Sequence, residues 1–123
     1  MNKLILIATL GLFTFVGNSC TTDEEPPLCT AEFRTVAVEV TGKVLENWRT
    51  IRLSNSDTFK LINKFENKYP IVDDNFTKSI NNGEEQFQFQ GMIADSIWVD
   101  EIYTISADAC HISYVNGKLN VQL

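Results

Sequence analysis

Hydrophobic and polar residues alternate with a period of two over much of the chain after residue 35. Val36, Val38 and Val40 alternate with small or polar residues, and Phe87 and Phe89 alternate with glutamines. Successive side chains of a strand point to opposite faces, so this alternation predicts half-buried strands. Residues 96–105 are rich in Ile, Val, Trp and Tyr, as strands are. Short strands separated by turns predict an all-β sandwich.

Residues 58–69 fit two interpretations. Phe59, Ile62 and Phe65 have helical spacing, whereas residues 58–62 equally fit a strand. We favour a strand followed by an irregular segment.

The Asn116-Gly117 pair lies between two alternating segments, which is a strong signal for a hairpin. We therefore predict that residues 111–115 pair with residues 118–123. In that register His111 points to the outer face of the hairpin. The side chains expected on its inner face are those of Cys110, Ile112, Tyr114, Leu119, Val121 and Leu123.

The N-terminus carries Lys3 and then an uncharged, mostly apolar run from residue 4 to residue 16. This run is too short to cross a bilayer as a helix, which indicates a removable signal. Gly17-Asn18-Ser19-Cys20 resembles the lipobox of bacterial lipoproteins, although Gly17 stands where Leu is usual. The resemblance implies that residues 1–19 are a signal peptide and that Cys20 carries acyl chains such as palmitate. Cleavage by ordinary signal peptidase is the alternative.

Residues 20–28 are polar, acidic and proline-rich, so they predict a flexible tether. The cluster Asp23-Glu24-Glu25 resembles the surface-export signal of Bacteroidota-type lipoproteins. A solvated linker without a sorting role is an equally good interpretation. The resemblance implies a protein that is lipid-anchored in the outer membrane and exposed at the cell surface.

The mature chain is acidic. Removing residues 1–19 takes away one of the ten basic residues and none of the sixteen acidic ones, which leaves a net charge of 9 − 16 = −7. Such a chain repels nucleic-acid phosphates, and the sequence holds no Lys/Arg run to offset this. We therefore expect no nucleic-acid partner. Residues 29–123 are enough for one domain with one core.

Cys29 and Cys110 remain once Cys20 is assigned to the lipid. In an oxidising envelope compartment, two cysteines of a small domain predict a structural disulfide. No CxxC spacing exists, which argues against a redox pair.

Residues 105–112, with the sequence Ile-Ser-Ala-Asp-Ala-Cys-His-Ile, resemble the closing strands of carboxypeptidase-regulatory-like, transthyretin-type domains of envelope lipoproteins. The resemblance implies an Ig-like Greek-key sandwich of about seven strands that binds or scaffolds. It carries no catalytic residue to this chain.

Catalytic and metal-binding groups are sparse in the sequence. His111 is the only histidine, and on the outer face of a strand it needs no function. One histidine without a free cysteine pair cannot complete a zinc site. We therefore expect no enzyme, no metal and no cofactor. The acidic residues Asp73, Asp74, Glu84, Glu85, Asp95, Asp100 and Glu101 are expected on the solvated surface rather than around calcium.

Aromatic residues are the candidate ligand contacts, since their faces offer area for sugars or peptides. We name Trp98, Trp48 and Tyr103, with Tyr69 beside them, although most should be core. Trp98 is exposed if Ile97 and Val99 are buried. Asp95-Ser96-Ile97 resembles the O-glycosylation motif of Bacteroidota-type exported proteins, with an ordinary turn as the alternative for Ser96.

These predictions describe a non-enzymatic surface module. We expect it to be held at the membrane by the lipid on Cys20 and to bind an envelope protein or an extracellular glycan or peptide. The rival hypothesis is a small lipoprotein inhibitor that blocks a hydrolase with a protruding loop. Residues 70–76 are the candidate loop.

Overall fold

The computed structural model describes residues 29–123, so the predicted signal peptide, Cys20 and the acidic cluster lie outside the described part. Within residues 29–123 the chain forms eight strands, one 3₁₀ turn and one short helix. In chain order these are β1 Thr35–Thr41, β2 Asn47–Arg52, β3 Asp57–Phe59, β4 Lys68–Asp73, the 3₁₀ turn Asp74–Phe76, α1 Thr77–Ile80, β5 Glu84–Ile93, β6 Ser96–Ala107, β7 Ile112–Asn116 and β8 Asn120–Gln122.

The strands form two sheets packed face to face. One sheet has three strands in the order β4-β1-β8, and the other has five in the order β3-β2-β5-β6-β7. Paired strands are antiparallel except β1 and β8, which run parallel. The predicted all-β sandwich is confirmed, with eight strands in the described residues where about seven were expected.

The core lies between the sheets and is built from the alternating positions of the sequence. Because β1 and β5 each turn every second residue inward, their valines and phenylalanines meet across the sandwich. The fully buried apolar side chains are Val38, Val40, Tyr69, Ile71, Val72, Phe87, Phe89, Val99, Tyr103, Ile105 and Ile112. This core is complete within residues 29–123, so the domain should fold without the preceding segment.

Three β-bulges interrupt the alternation. The β1–β4 pairing passes over Ile71, the β5–β6 pairing passes over Trp98, and the β6–β7 pairing passes over Val115. A bulge places two residues opposite one and turns the strand locally. After each bulge the inward and outward positions are therefore no longer those that simple alternation predicts.

The predicted hairpin at Asn116-Gly117 is wrong. β7 pairs with β6, whereas β8 pairs with β1 in the other sheet, so residues 117–119 cross between the sheets. Gly117 has φ 130°, and a Cβ there would lie 2.4 Å from the Tyr103 ring. Glycine is thus required for close approach to a buried aromatic ring, not for a two-residue turn. Tyr114, expected on the inner face, is exposed.

The favoured interpretation of residues 58–69 is confirmed. β3 ends at Phe59, residues 60–67 are irregular, and β4 begins at Lys68. Paired backbone hydrogen bonds between Phe65 and Lys68, of 3.1 and 2.9 Å, close a tight turn just before β4.

The sandwich has two chemically different ends. β1 and β4 meet the 3₁₀ turn at one end, where β6 also finishes. We call this the disulfide end because Cys29 and Cys110 lie there. At the opposite end are three connecting segments, residues 42–46, 60–67 and 93–98, which we call the distal tip.

Candidate functional site

Cys29 and Cys110 form the predicted disulfide, with Cα atoms 5.2 Å apart. The bond joins the segment before β1 to the loop between β6 and β7. It therefore fixes the start of the described chain to the five-stranded sheet, although β1 itself belongs to the other sheet.

Asp74 is the centre of a polar network at the disulfide end. Its Oδ1 accepts the backbone N–H of Ile112 at 2.8 Å, and its Oδ2 accepts the backbone N–H of Arg34 at 2.7 Å. Oδ2 also lies 2.8 Å from Nδ1 of His111. Burial raises the pKa of the Asp74 carboxyl, but these hydrogen bonds outweigh burial and lower that pKa below 3.8.

His111 is buried, with only 7% of its surface exposed, so the predicted outward orientation is wrong. The reason is that His111 lies in a loop before β7, where strand parity does not apply. Asp108 shapes this loop, since its Oδ1 accepts the backbone N–H groups of Cys110 and His111 at 2.8 and 2.7 Å. The same hydrogen bonds lower the pKa of Asp108.

The second nitrogen of His111, Nε2, lies 2.8 Å from Oγ1 of Thr30. Hydroxyl, imidazole and carboxylate thus stand in the order found in nucleophilic hydrolases. Two clefts at this end are lined by other residues, among them Phe33, Ser113, Thr77 and Ala109. The network fastens residues 30–34 to the sandwich, because Asp74 accepts backbone N–H groups from both sides.

Metal ligation finds no support in the described part of the chain, where no three His, Cys, Asp or Glu side chains are placed to hold an ion. The expectation that the acidic residues lie on the solvated surface is wrong for two of them. Asp74 is buried against His111, and Glu85 forms a 2.5 Å ion pair with Arg52. Pairing of these carboxylates depends on tertiary contacts that the sequence does not display.

The four aromatic residues of the predicted platform do not share a surface. Tyr69 and Tyr103 are fully buried, so Tyr103 is not an exposed ligand contact. The Tyr69 hydroxyl accepts the backbone N–H of Leu45 at 2.9 Å. Trp48 packs edge-on against Tyr69 with ring centroids 5.1 Å apart, and its Nε1 donates to the Leu61 carbonyl at 2.8 Å. Trp48 is therefore mainly structural.

Trp98 is exposed, but for a reason other than the predicted one. It is the extra residue of a β-bulge, so Ile97 and Trp98 both face outward, with 48% and 46% of their surfaces exposed, and Val99 is buried. The ammonium of Lys43 lies 4.2 Å from the centre of the Trp98 ring. This distance fits a cation–π contact at the distal tip.

Ser96 stands at the start of β6 and is exposed. The preceding Ala94 and Asp95 have φ of 46° and 64°, and Ile93 pairs with Ser96. These features describe a two-residue type I′ hairpin turn. The turn interpretation of this segment accounts for its geometry, and the hydroxyl of Ser96 remains accessible.

Residues 70–76 do not form a protruding loop. Pro70, Ile71 and Val72 are buried within β4, and Phe76 stacks on Phe59 with ring centroids 4.5 Å apart. The predicted inhibitory loop is therefore wrong, because the apolar residues that made it look like a binding loop are part of the core.

The distal tip carries the most exposed apolar side chains of the described chain. They are Val44, Ile62 and Phe65, with 70%, 76% and 68% of their surfaces exposed. Sequence reasoning missed these residues, although each lies within two positions of a lysine. The sequence feature that could have indicated them is the proximity of lysines to apolar residues in two separate segments, 43–44 and 60–65.

Three lysines accompany these apolar residues. Besides Lys43 over Trp98, the ammonium of Lys60 lies 4.3 Å from the Trp48 ring centre, and that of Lys64 lies 4.8 Å from the Tyr69 ring centre. Residues 40–44 and 64–69 enclose an open cleft of about 430 Å³ between them. It is lined by Val40, Thr41, Gly42, Lys43, Val44, Lys64, Glu66, Asn67 and Tyr69.

No protein-family model, curated protein or solved structure matches this chain. Among residues 29–123, no helix is long and apolar enough to cross a membrane.

Proposed function

We propose that this chain is a lipid-anchored, non-enzymatic module of the bacterial envelope that binds a partner through its distal tip. The observation that carries the proposal is the concentration of exposed Val44, Ile62 and Phe65 at one end of the sandwich. Soluble domains rarely gather such side chains without a binding role. The polar network at the other end holds the fold together and leaves the tip as the candidate contact surface.

The position of the proposed anchor supports this assignment. Cys29 follows Cys20 by nine positions, so the two Cα atoms are at most about 32 Å apart when the chain between them is fully extended. β6 alone, with 12 residues, spans about 40 Å from the distal tip towards the disulfide end. A lipid on Cys20 would therefore hold the disulfide end near the membrane and leave the tip facing away from it.

The anchor is tested by cell fractionation of a Cys20→Ser variant. We expect this variant to leave the membrane fraction, since it has no acyl chain. The matched control is Cys29→Ser with Cys110→Ser, which removes two cysteines but keeps Cys20 and should remain at the membrane. A Cys20→Ser protein that still sediments with membranes would contradict the proposed anchor.

Surface display is tested separately. Replacing Asp23, Glu24 and Glu25 by alanine should reduce protease accessibility on whole cells if the acidic cluster directs export. Replacing Asp57 and Asp95 by alanine is the control, because these exposed acids lie within the folded domain. Unchanged accessibility of the cluster variant would assign residues 20–28 to a plain linker.

Binding by the tip is tested by immobilising the domain of residues 29–123 on a solid support and incubating it with envelope extract. Wild type should retain a defined protein or glycan that a Val44→Ser, Phe65→Ser variant does not retain. A Leu53→Ser variant, altered at an exposed apolar residue outside the tip, is the control. Equal retention by all three proteins would exclude the tip as the binding surface.

A further inference from the structure

The lining of the cleft at the distal tip carries two lysines, Lys43 and Lys64, and one carboxylate, Glu66. Residues 29–123 contain nine basic and thirteen acidic residues, a net charge of 9 − 13 = −4. Even so, no ion pair within these residues involves Lys43 or Lys64; the pairs present use Arg34, Arg52 and His111. Two unpaired ammonium groups against one carboxylate leave this lining with a net charge of 2 − 1 = +1 in an otherwise acidic domain, which is complementary to an anionic group from outside.

Exposed apolar side chains border the same cleft. Val44 lies in its lining, and Phe65 follows directly after Lys64. Burying an exposed valine or phenylalanine contributes substantially to binding, whereas lysine ammoniums alone contribute little at a solvated surface. An occupant that uses both features must bring apolar side chains together with an acid.

The walls of the cleft are joined to each other, so its shape exists before binding. The backbone N–H of Val40 donates to the carbonyl of Asn67 at 2.9 Å, and the side chain of Asn67 donates to Glu39 at 3.2 Å. The turn at Phe65–Lys68 is closed by its two backbone hydrogen bonds. A preformed cleft loses little conformational entropy on binding, which favours recognition of a short segment.

We propose that the cleft between residues 40–44 and 64–69 binds an acidic segment of a partner protein, with a carboxylate at Lys43 and Lys64 and apolar side chains against Val44 and Phe65. This inference rests on the proposed role of the tip in binding. A glycan could stack on Phe65 but would leave the aliphatic Val44 and Ile62 without an apolar contact. The anchoring membrane lies, under the proposed function, at the opposite end of the domain.

The inference is tested by panning a random dodecapeptide library, displayed on phage, against residues 29–123. We expect enrichment of peptides that combine Asp or Glu with aromatic or aliphatic residues. A representative enriched peptide should bind a Lys43→Glu, Lys64→Glu variant at least tenfold more weakly. The control is Lys78→Glu with Lys118→Glu, which makes the same charge change at exposed lysines outside the tip and should bind like wild type.

Enrichment of basic peptides, absence of enrichment, or equal binding by both charge variants would overturn the inference. Vesicles of phosphatidylglycerol provide the second arm. The inference would also be overturned if wild type binds these vesicles, the Lys43→Glu, Lys64→Glu variant does not, and no peptide binds. That result would assign the tip to a lipid surface. If wild type and the Val44→Ser, Phe65→Ser variant retain the same molecules from envelope extract, the proposed function itself is overturned. The two failures are therefore distinguishable.

Discussion

Nδ1 of His111 lies 2.8 Å from Oδ2 of Asp74, and both side chains are more than nine-tenths buried. The two residues are 37 positions apart, and each belongs to a short connection, not to a strand. Together with the hydrogen bonds of Asp74 to Arg34 and Ile112, this contact ties three separate segments at the disulfide end. The stability of that end should therefore depend on one carboxylate.

Replacing Asp74 by alanine should lower the free energy of unfolding by about 3 kcal/mol, because it leaves the backbone N–H groups of Arg34 and Ile112 and the buried imidazole of His111 without their acceptor. Urea denaturation of residues 29–123 measures the change. Asp73→Ala is the control, since Asp73 only caps the 3₁₀ turn through Asn75 and should cost about 1 kcal/mol. If both variants lose the same unfolding free energy, the Asp74 network stabilises the domain no more than the cap at Asp73 does.

The pKa of Asp74 predicts loss of stability in acid. Because folding lowers this pKa below 3.8, the folded state favours the carboxylate, and the stabilisation is fully present above 3.8. It is lost as pH falls through the lowered pKa. Urea midpoints measured between about pH 7 and pH 2 should fall more steeply for wild type than for Asp74→Asn. Parallel pH profiles of the two proteins would contradict this assignment.

The Cys29–Cys110 bond joins cysteines 81 residues apart, so removing it should lower the unfolding free energy by about 4 kcal/mol. The test compares wild type with a Cys29→Ala, Cys110→Ala variant in urea. Mass spectrometry of the native protein should find the mass two hydrogens below the dithiol form. If reductant leaves the urea midpoint of wild type unchanged, the bond does not stabilise the domain.

Thr50 links the two sheets at the β4 bulge. Its buried hydroxyl donates to the carbonyl of Ile71, the bulged residue, at 2.8 Å. Thr50→Val keeps the shape but removes the donor, and should cost about 1–3 kcal/mol because the carbonyl stays buried. Thr50→Ser retains the hydroxyl and should recover most of this difference. Thermal or urea denaturation of the pair separates the hydrogen bond from the loss of a methyl group.

The turn before Ser96 can be improved. Ala94 has φ 46°, a left-handed conformation that asparagine tolerates better than alanine. Ala94→Asn should therefore raise the unfolding free energy by about 0.5–1 kcal/mol. Ala109→Asn, at an exposed alanine without a positive φ, should have no comparable effect. A destabilised Ala94→Asn protein would contradict the type I′ assignment.

Local patterns of the sequence were sufficient to predict the class of fold and several of its strands, although residues 70–73 of β4 were expected in a loop. Val38, Val40, Phe87 and Phe89 are buried as their alternation predicts, since the side-chain period of a strand is a property of the backbone. The Cys29–Cys110 pair was also predicted correctly, because the lipobox resemblance left only two cysteines to pair.

Tertiary structure alone decided the pairing of the strands and the place of the polar groups. The segment at Asn116-Gly117 has the residues of a hairpin, but β8 pairs with β1 in the other sheet, and Gly117 lies close to the Tyr103 ring. The bulge at Trp98 exposes two successive residues, which no periodic pattern predicts. Asp74 meets His111, and two lysine-bearing loops meet at one cleft, because the chain fold brings together residues that are far apart in sequence.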